Sequence, residues 1–163
     1  MLDGVDGITL LDELMDFLSL QPDEVSLLPP EPQRTAFVAH RFDERGEQAM
    51  DKLARFLGLL GFAVITGRAY SPKSIADKVR SRMEQQAIVF VILTPGDDAT
   101  WLVQESAIAK IQGKPLFLLK ETSAEFKSGI LADHEYIPFE NGRVESCFVP
   151  ILEGMREIGY ATE

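Results

Sequence analysis

The sequence predicts an α/β domain built on a parallel β-sheet with helices on both faces. Three observations point there. From residue 34 onward short apolar runs alternate with longer stretches of helical periodicity; one run, AIVFVIL at 87–93, is apolar without a break; and helical stripes stop at glycines. A strand covered on both faces reads as a continuous apolar run, because neither of its faces alternates with solvent. Strands joined through helices need crossovers, and right-handed crossovers leave few arrangements other than a wrapped parallel sheet.

Each element can be justified in turn. Residues 8–20, ITLLDELMDFLSL, set Ile8, Leu11, Met15 and Leu18 at helical spacing opposite Asp12, Glu13 and Asp16, which predicts a short amphipathic helix. QPDEVSLLPPEPQ then reads as a linker, since Pro29, Pro30 and Pro32 lack amide donors and hold the chain extended. The expected division is therefore 1–33, helix and linker, and 34–163, the α/β domain. TAFVAH (35–40) is expected as the first strand. Met50, Leu53, Phe56, Leu57 and Leu60 give the next segment a helical stripe that stops at Gly61, and FAVITG (62–67) is the second strand. After YSPKS, where Ser71 or Ser74 is placed to cap a helix, Ile75, Val79 and Met83 recur every four residues. The third strand is 87–93, followed by a helix over 101–112 that ends at Gly113. PLFLLK (115–120) and EYIPF (135–139) supply two more strands, and a terminal helix is expected over 145–159, which Pro150 either kinks or starts.

Five strands in this rhythm suit the flavodoxin-like order 2-1-3-4-5. In such sheets ligands bind beyond the carboxyl ends of the strands, where the winding reverses between strands 1 and 3. That rule singles out two loops, HRFDERG (40–46) and TPGDDATW (94–101). Arg41 lies in the first, and Glu105 opens the helix just after the second.

Composition narrows the chemistry. At 163 residues the chain accommodates one domain and an appendage. Its longest apolar run is far short of the roughly 20 residues that cross a bilayer, and the start lacks the basic residues of a signal peptide, so a soluble cytoplasmic protein is expected. One cysteine, Cys147, allows no internal disulfide, and with only two histidines a structural zinc site is not expected. The formal charge of −10 argues against nucleic-acid and membrane surfaces. A small anion would need a local basic cluster, for which Arg41 with Arg45 and Arg68 with Lys73 are the candidates. The residues of a phospho-accepting receiver are missing, since Thr94 stands at the end of strand 3 and His40-Arg41 after strand 1. No G-x-G-x-x-G opens a helix, and neither a P-loop nor a G-x-S-x-G elbow is present.

The sequence resembles a Toll/interleukin-1 receptor (TIR) domain over about residues 34–120: FVAHR, LGFAVITG, the long loop RAYSPKS, VFVILTPG, WLVQE and GKPLFLL occur in the family's order and spacing. Bacterial, plant and some animal TIR domains cleave NAD⁺ with a glutamate on the helix after the third strand, which a Trp precedes by four residues. The resemblance therefore implies Glu105 as the catalytic residue and Trp101 as its neighbour. It implies Arg41, with His40, Phe42 and Thr94 beside it, near the nucleotide. Residues 66–74, including Gly67 and Tyr70, match the loop that edges the site and mediates assembly. It further implies NAD⁺ as substrate with no permanently bound cofactor, self-association or other TIR domains as partners, and a setting in prokaryotic antiphage immunity. At the loop-to-helix junction, where enzymatic relatives carry an aromatic, this chain has Ile75.

One carboxylate suffices for that reaction. Nicotinamide in NAD⁺ is already a cationic leaving group and departs neutral, so no general acid is needed. The transition state needs a negative charge beside the developing oxocarbenium ion and hydrogen bonds to the ribose hydroxyls, both of which a glutamate supplies. A helix-dipole role explains Glu105 poorly: with Thr100 as N-cap it is the fifth helical residue, and Val103 takes the capping-box position. Other roles stand beside the catalytic ones. Trp101 can be core, Arg41 can pair with Asp43 or Glu44, His40 can pack at the strand end, and Tyr70 can be an exposed loop residue. Two rival functions remain at this level: a TIR interaction module that assembles through 66–74 without catalysis, and a nucleoside 2-deoxyribosyltransferase-like enzyme whose glutamate is a covalent nucleophile.

Overall fold

The computed structural model describes residues 31–66, 75–96, 109, 112–125 and 134–161. The chain divides into two units, Met1–Glu31 and Pro32–Glu163, and the described residues other than Glu31 belong to the second. The helix expected over 8–20 and the linker as far as residue 30 lie outside the described residues.

The strands are β1 (Thr35–Ala39), β2 (Ala63–Thr66), β3 (Ile88–Leu93), β4 (Leu116–Glu121) and β5 (Tyr136–Phe139), in one sheet of order β2-β1-β3-β4-β5. Every pairing is parallel: Phe37 lies beside Ile65 and Val89, Val89 beside Leu116, and Leu118 beside Tyr136. The helices are α1 (Glu44–Leu59), α2 (Ile75–Glu84) and α3 (Phe148–Glu157), with a 3₁₀ turn at Val144–Cys147 before α3. This is the flavodoxin-like order that the sequence predicts. Among the described residues no helix is long and apolar enough to cross a membrane.

Strand periodicity sorts the core onto two faces, because successive side chains of a strand point to opposite sides. Ala36, Val38, Phe90, Ile92 and Leu119 meet Leu53 and Leu57 of α1 and Ile151 and Met155 of α3 on one face. Phe37, Ala39, Val89, Val91 and Leu118 meet Met83 of α2 and Ala109 on the other. All six residues of β3 are buried, which is why its sequence shows no alternation. The edge strands β2 and β5 are partly exposed, and β5 carries Pro138, which an edge position tolerates because one side of the strand needs no amide donor.

α1 starts six residues before the apolar stripe. Asp43 caps it, accepting the Gly46 N–H at 2.8 Å, and Glu44 and Glu47 in the first turn complement the positive end of the helix. Its end is the expected one: Gly61 takes φ 83°, letting Phe62 N–H reach Leu57 O at 2.9 Å and Gly61 N–H reach Gly58 O at 3.0 Å. Arg34 ties the entry of β1 to this turn and to the end of the unit, donating to Leu60 O and to Ala161 O, while Tyr160 Oη donates to Gln33 O at 2.9 Å.

Gly46 fixes how α1 sits. A Cβ there would lie 2.2 Å from the Arg41 carbonyl oxygen, a backbone atom that cannot swing aside. Helix propensity alone favours Ala over Gly by about 1 kcal/mol. Overpacking against rigid backbone costs about 1–3 kcal/mol and more when nothing can relax. Gly46→Ala is therefore expected to lower the melting temperature by several degrees in a thermal unfolding measurement, against the propensity trend.

The terminal helix expected over 145–159, with Pro150 as its kink or its start, forms as the 3₁₀ turn Val144–Cys147 followed by α3 from Phe148. Pro150 has no N–H to donate back to residue 146, so the chain winds first as the 3₁₀ turn and restarts as α3, with Pro150 in the first turn where no donor is required. Cys147 at this junction is buried, its thiol directed at the carbonyls of Ile137 and Pro138. Burial pushes the thiol up to about 11; a hydrogen bond from Ser146 opposes this and the charge of Glu145 adds to it. A raised folded-state value favours the protonated folded form. Its stability contribution is full below the unfolded thiol's value near 9 and is lost as pH climbs towards 11. At pH 8 Cys147 is expected to resist a chromogenic disulfide reagent until the protein is unfolded, and the melting temperature is expected to fall between pH 9 and 11.

Candidate functional site at the switch point

β1 and β3 are neighbours whose crossovers leave to opposite faces, so the topology places the switch point at their carboxyl ends. Residues 40–43 leave β1 towards α1, and residues 94–96 leave β3.

Arg41 joins the two loops. Its Nε donates to the Thr94 main-chain oxygen at 3.1 Å, and its guanidinium lies over Gly96 so closely that a Cβ there would be 2.4 Å from Nη1. The surface pairing with Asp43 or Glu44 is not what forms: Asp43 caps α1, and Glu44 accepts from Gln48. Among the described residues no carboxylate pairs with Arg41. A planar guanidinium held by one edge presents its other edge as a fork for a carboxylate or a phosphate.

Phe42 and His40 complete the described rim. Phe42 is 52 % exposed and its ring meets that of His40 edge to face, with centroids 5.1 Å apart. His40 is buried on the face of Ala36 and Val38, with Nε2 3.5 Å from Glu47 Oε2. Its imidazole thus packs against the Phe42 ring. Thr94 is buried as well, and its hydroxyl has no hydrogen-bond partner among the described residues.

The expected Arg41 and Arg45 cluster is corrected by the structure. Arg45 Nη2 is taken by Glu121 at 2.7 Å, a buried carboxylate at the carboxyl end of β4. Of this pair, Arg41 is the one with no carboxylate partner among the described residues. Glu121 was not singled out by sequence reasoning; the signal it offers is a lone acid closing the apolar run PLFLLKE. Gly96, over which Arg41 lies, was likewise unmarked.

Glu105, Trp101, Gly67 and Tyr70 lie outside the described residues, as do Arg68, Lys73, Ser71 and Ser74. From the helix expected over 101–112, Ala109 and Gln112 are described: Ala109 is helical and fully buried among residues of β1 and β3, and Gln112 lies in a turn. Among the described residues no three His, Cys, Asp or Glu side chains gather in a metal-holding group. A groove lined by Tyr136, Ile137, Pro150 and Ile158 lies at the amino ends of β4 and β5, the opposite end of the sheet from the crevice.

Solved structures of similar architecture include the following three. A 2-deoxyribosyltransferase from the psychrotolerant bacterium Bacillus psychrosaccharolyticus matches with a TM-score of 0.54 and 21% identity, over 66% of this chain and 87% of that one. The CMP N-glycosidase of Clostridium botulinum matches with a TM-score of 0.54 and 17% identity, over 73% and 98%. The TIR domain of a Toll-related receptor from Hydra magnipapillata matches with a TM-score of 0.50 and 13% identity, over 74% and 97%. At such identities the likeness is one of fold: the chain has the TIR-like sheet that nucleoside-processing enzymes also use. No family model matches the sequence, and no curated protein matches it.

Proposed function

We propose that the protein is an NAD⁺ nucleosidase, cleaving the ribose–nicotinamide bond at the switch-point crevice to give nicotinamide and ADP-ribose or a cyclised product. The observation that carries this reading is Arg41, held between both loops with no carboxylate partner among the described residues and with the exposed Phe42 next to it in the chain. A cation for a pyrophosphate next to a ring for a base is the pairing that a dinucleotide calls for.

In this reading Glu105 supplies the negative charge beside the anomeric carbon and accepts from a ribose hydroxyl, while Trp101 excludes water. The buried, helical Ala109 supports an inward Glu105: in the expected helix, residues four apart share a face, and Glu105 and Trp101 precede Ala109 by one and two turns. Attack by water gives ADP-ribose, and attack by the ligand's own adenine gives the cyclic product. NAD⁺ is substrate and not cofactor. Self-association through residues 66–74 and a role in prokaryotic antiphage immunity belong to the same proposal.

A second reading draws on the two enzymes of similar fold, a deoxyribosyltransferase and a CMP N-glycosidase. Both activities share with NAD⁺ cleavage the breaking of a base–sugar bond, and the same end of the sheet would serve. The test is to incubate concentrated protein separately with NAD⁺, CMP and deoxynucleosides and to follow release of the free base. Nicotinamide release alone supports the proposal, cytosine release or base exchange supports the second reading, and no release at any protein concentration favours a TIR module that only assembles.

A further inference from the structure

The crevice rim is held by a contact that lies outside it. Glu121 is fully buried at the end of β4, and its Oε1 accepts two hydrogen bonds, from Arg45 Nη2 at 2.7 Å and from Gly142 N–H at 2.9 Å. Its Oε2 has no partner among the described residues. The register that sets Leu93 beside Lys120 brings Thr94 level with Glu121. A buried carboxylate is strongly disfavoured unless it is engaged by charge and hydrogen bonds, so Glu121 holds its partners firmly.

Those partners lead to Arg41. Arg45 lies in the first turn of α1, one residue before Gly46, and Gly46 is in contact with the Arg41 carbonyl so tightly that no Cβ fits between them. Arg41 in turn donates to the Thr94 carbonyl, at the strand tip beside Glu121. The contacts close a ring: β4 tip to first turn of α1, first turn to the β1 loop, β1 loop to the β3 tip. We propose that Glu121 is a positioning residue for nucleotide binding, which through Arg45 fixes the first turn of α1 and so sets the place from which Arg41 and Phe42 meet the ligand. This rests on the reading of the crevice as a nucleotide site.

The test is isothermal titration calorimetry with ADP-ribose on the full chain, comparing wild type with Arg41→Ala, Glu121→Gln, Arg45→Gln, Arg45→Lys and the Glu121→Gln/Arg45→Gln double variant. Glu121→Gln keeps the shape of the side chain and removes its charge, and it is expected to weaken binding on the order of tenfold, which corresponds to about 1.4 kcal/mol. Arg45→Gln is expected to do the same, Arg45→Lys to recover most of the affinity, and the double variant to be no worse than either single one, because the two residues act as one latch. In nicotinamide release, Glu121→Gln raises KM and leaves kcat within about twofold, a split that a general loss of stability does not produce. If the Gln variant at 121 fails to fold, the half-exposed Arg45 carries the test through Arg45→Gln and Arg45→Lys. Wild-type affinity in both Glu121→Gln and Arg45→Gln, with Arg41→Ala weakened, overturns this inference alone. Absence of ADP-ribose binding by wild type overturns it together with the nucleotide reading.

Discussion

Glu105→Gln is expected to reduce nicotinamide release from NAD⁺ by a factor of ~10³ or more while the fold stays intact. The amide keeps the size and a hydrogen-bond acceptor but loses the negative charge. In the dissociation of nicotinamide the positive charge moves from the leaving ring to the ribose, and no acid–base step shares the work. The electrostatic attraction between a carboxylate and an adjacent oxocarbenium ion is therefore the main stabilising term, and it is strong where the surroundings exclude water. In the proposed function binding depends on the pyrophosphate and bases, so KM is expected to change little. The measurement is chromatographic quantitation of nicotinamide, with circular dichroism and melting temperature to establish folding. A Gln variant that turns over like wild type would remove Glu105 from the chemistry.

Gly96→Ala is expected to raise KM for NAD⁺ by ~10-fold or more with the melting temperature almost unchanged. The added methyl would stand 2.4 Å from Arg41 Nη1 and 2.5 Å from Cζ. Unlike the carbonyl that faces Gly46, this neighbour is the far end of a flexible side chain and can move away. The protein then keeps its stability to within about 0.5 kcal/mol, as surface substitutions usually do. What it loses is the fixed place of the guanidinium, whose pre-ordering otherwise removes part of the entropic cost of binding. Arg41→Ala should have a similar effect, and the Gly96→Ala/Arg41→Ala double variant should be no worse than Arg41→Ala. Additive effects would mean that Gly96 acts on the ligand by another route.

The fold was legible because its strongest signals are physical necessities of a wrapped sheet. β3 had to be apolar throughout because α1 and α3 cover one face and α2 and Ala109 the other. Gly61 had to end α1 because its left-handed backbone completes the helix cap. The start of α1 was not legible from the apolar stripe, since its first turns carry Glu44, Arg45, Glu47 and Gln48 and are fixed by a cap. The split of the terminal helix depends on one missing donor at Pro150, which the sequence leaves open between a kink and a start.

The place of Arg41 at the carboxyl ends of β1 and β3 was legible from the strand order. Its pairing was not legible, because Asp43 and Glu44 are nearer in sequence than Thr94 and Gly96, yet the first is committed to a cap and the second to Gln48. Arg45 looked equivalent to Arg41 and is bound instead to Glu121, 76 residues away. A contact of that range appears only once β4 is set in its place, two strands from β1.

The most direct test of a nucleotide site at this crevice is a crystal structure of the Glu105→Gln variant with NAD⁺. The account predicts the pyrophosphate on the outer edge of Arg41, an aromatic base against Phe42, and the side chain of residue 105 beside the anomeric carbon of the nicotinamide ribose. NAD⁺ bound elsewhere, or residue 105 turned away from the sugar towards bulk solvent, would contradict it.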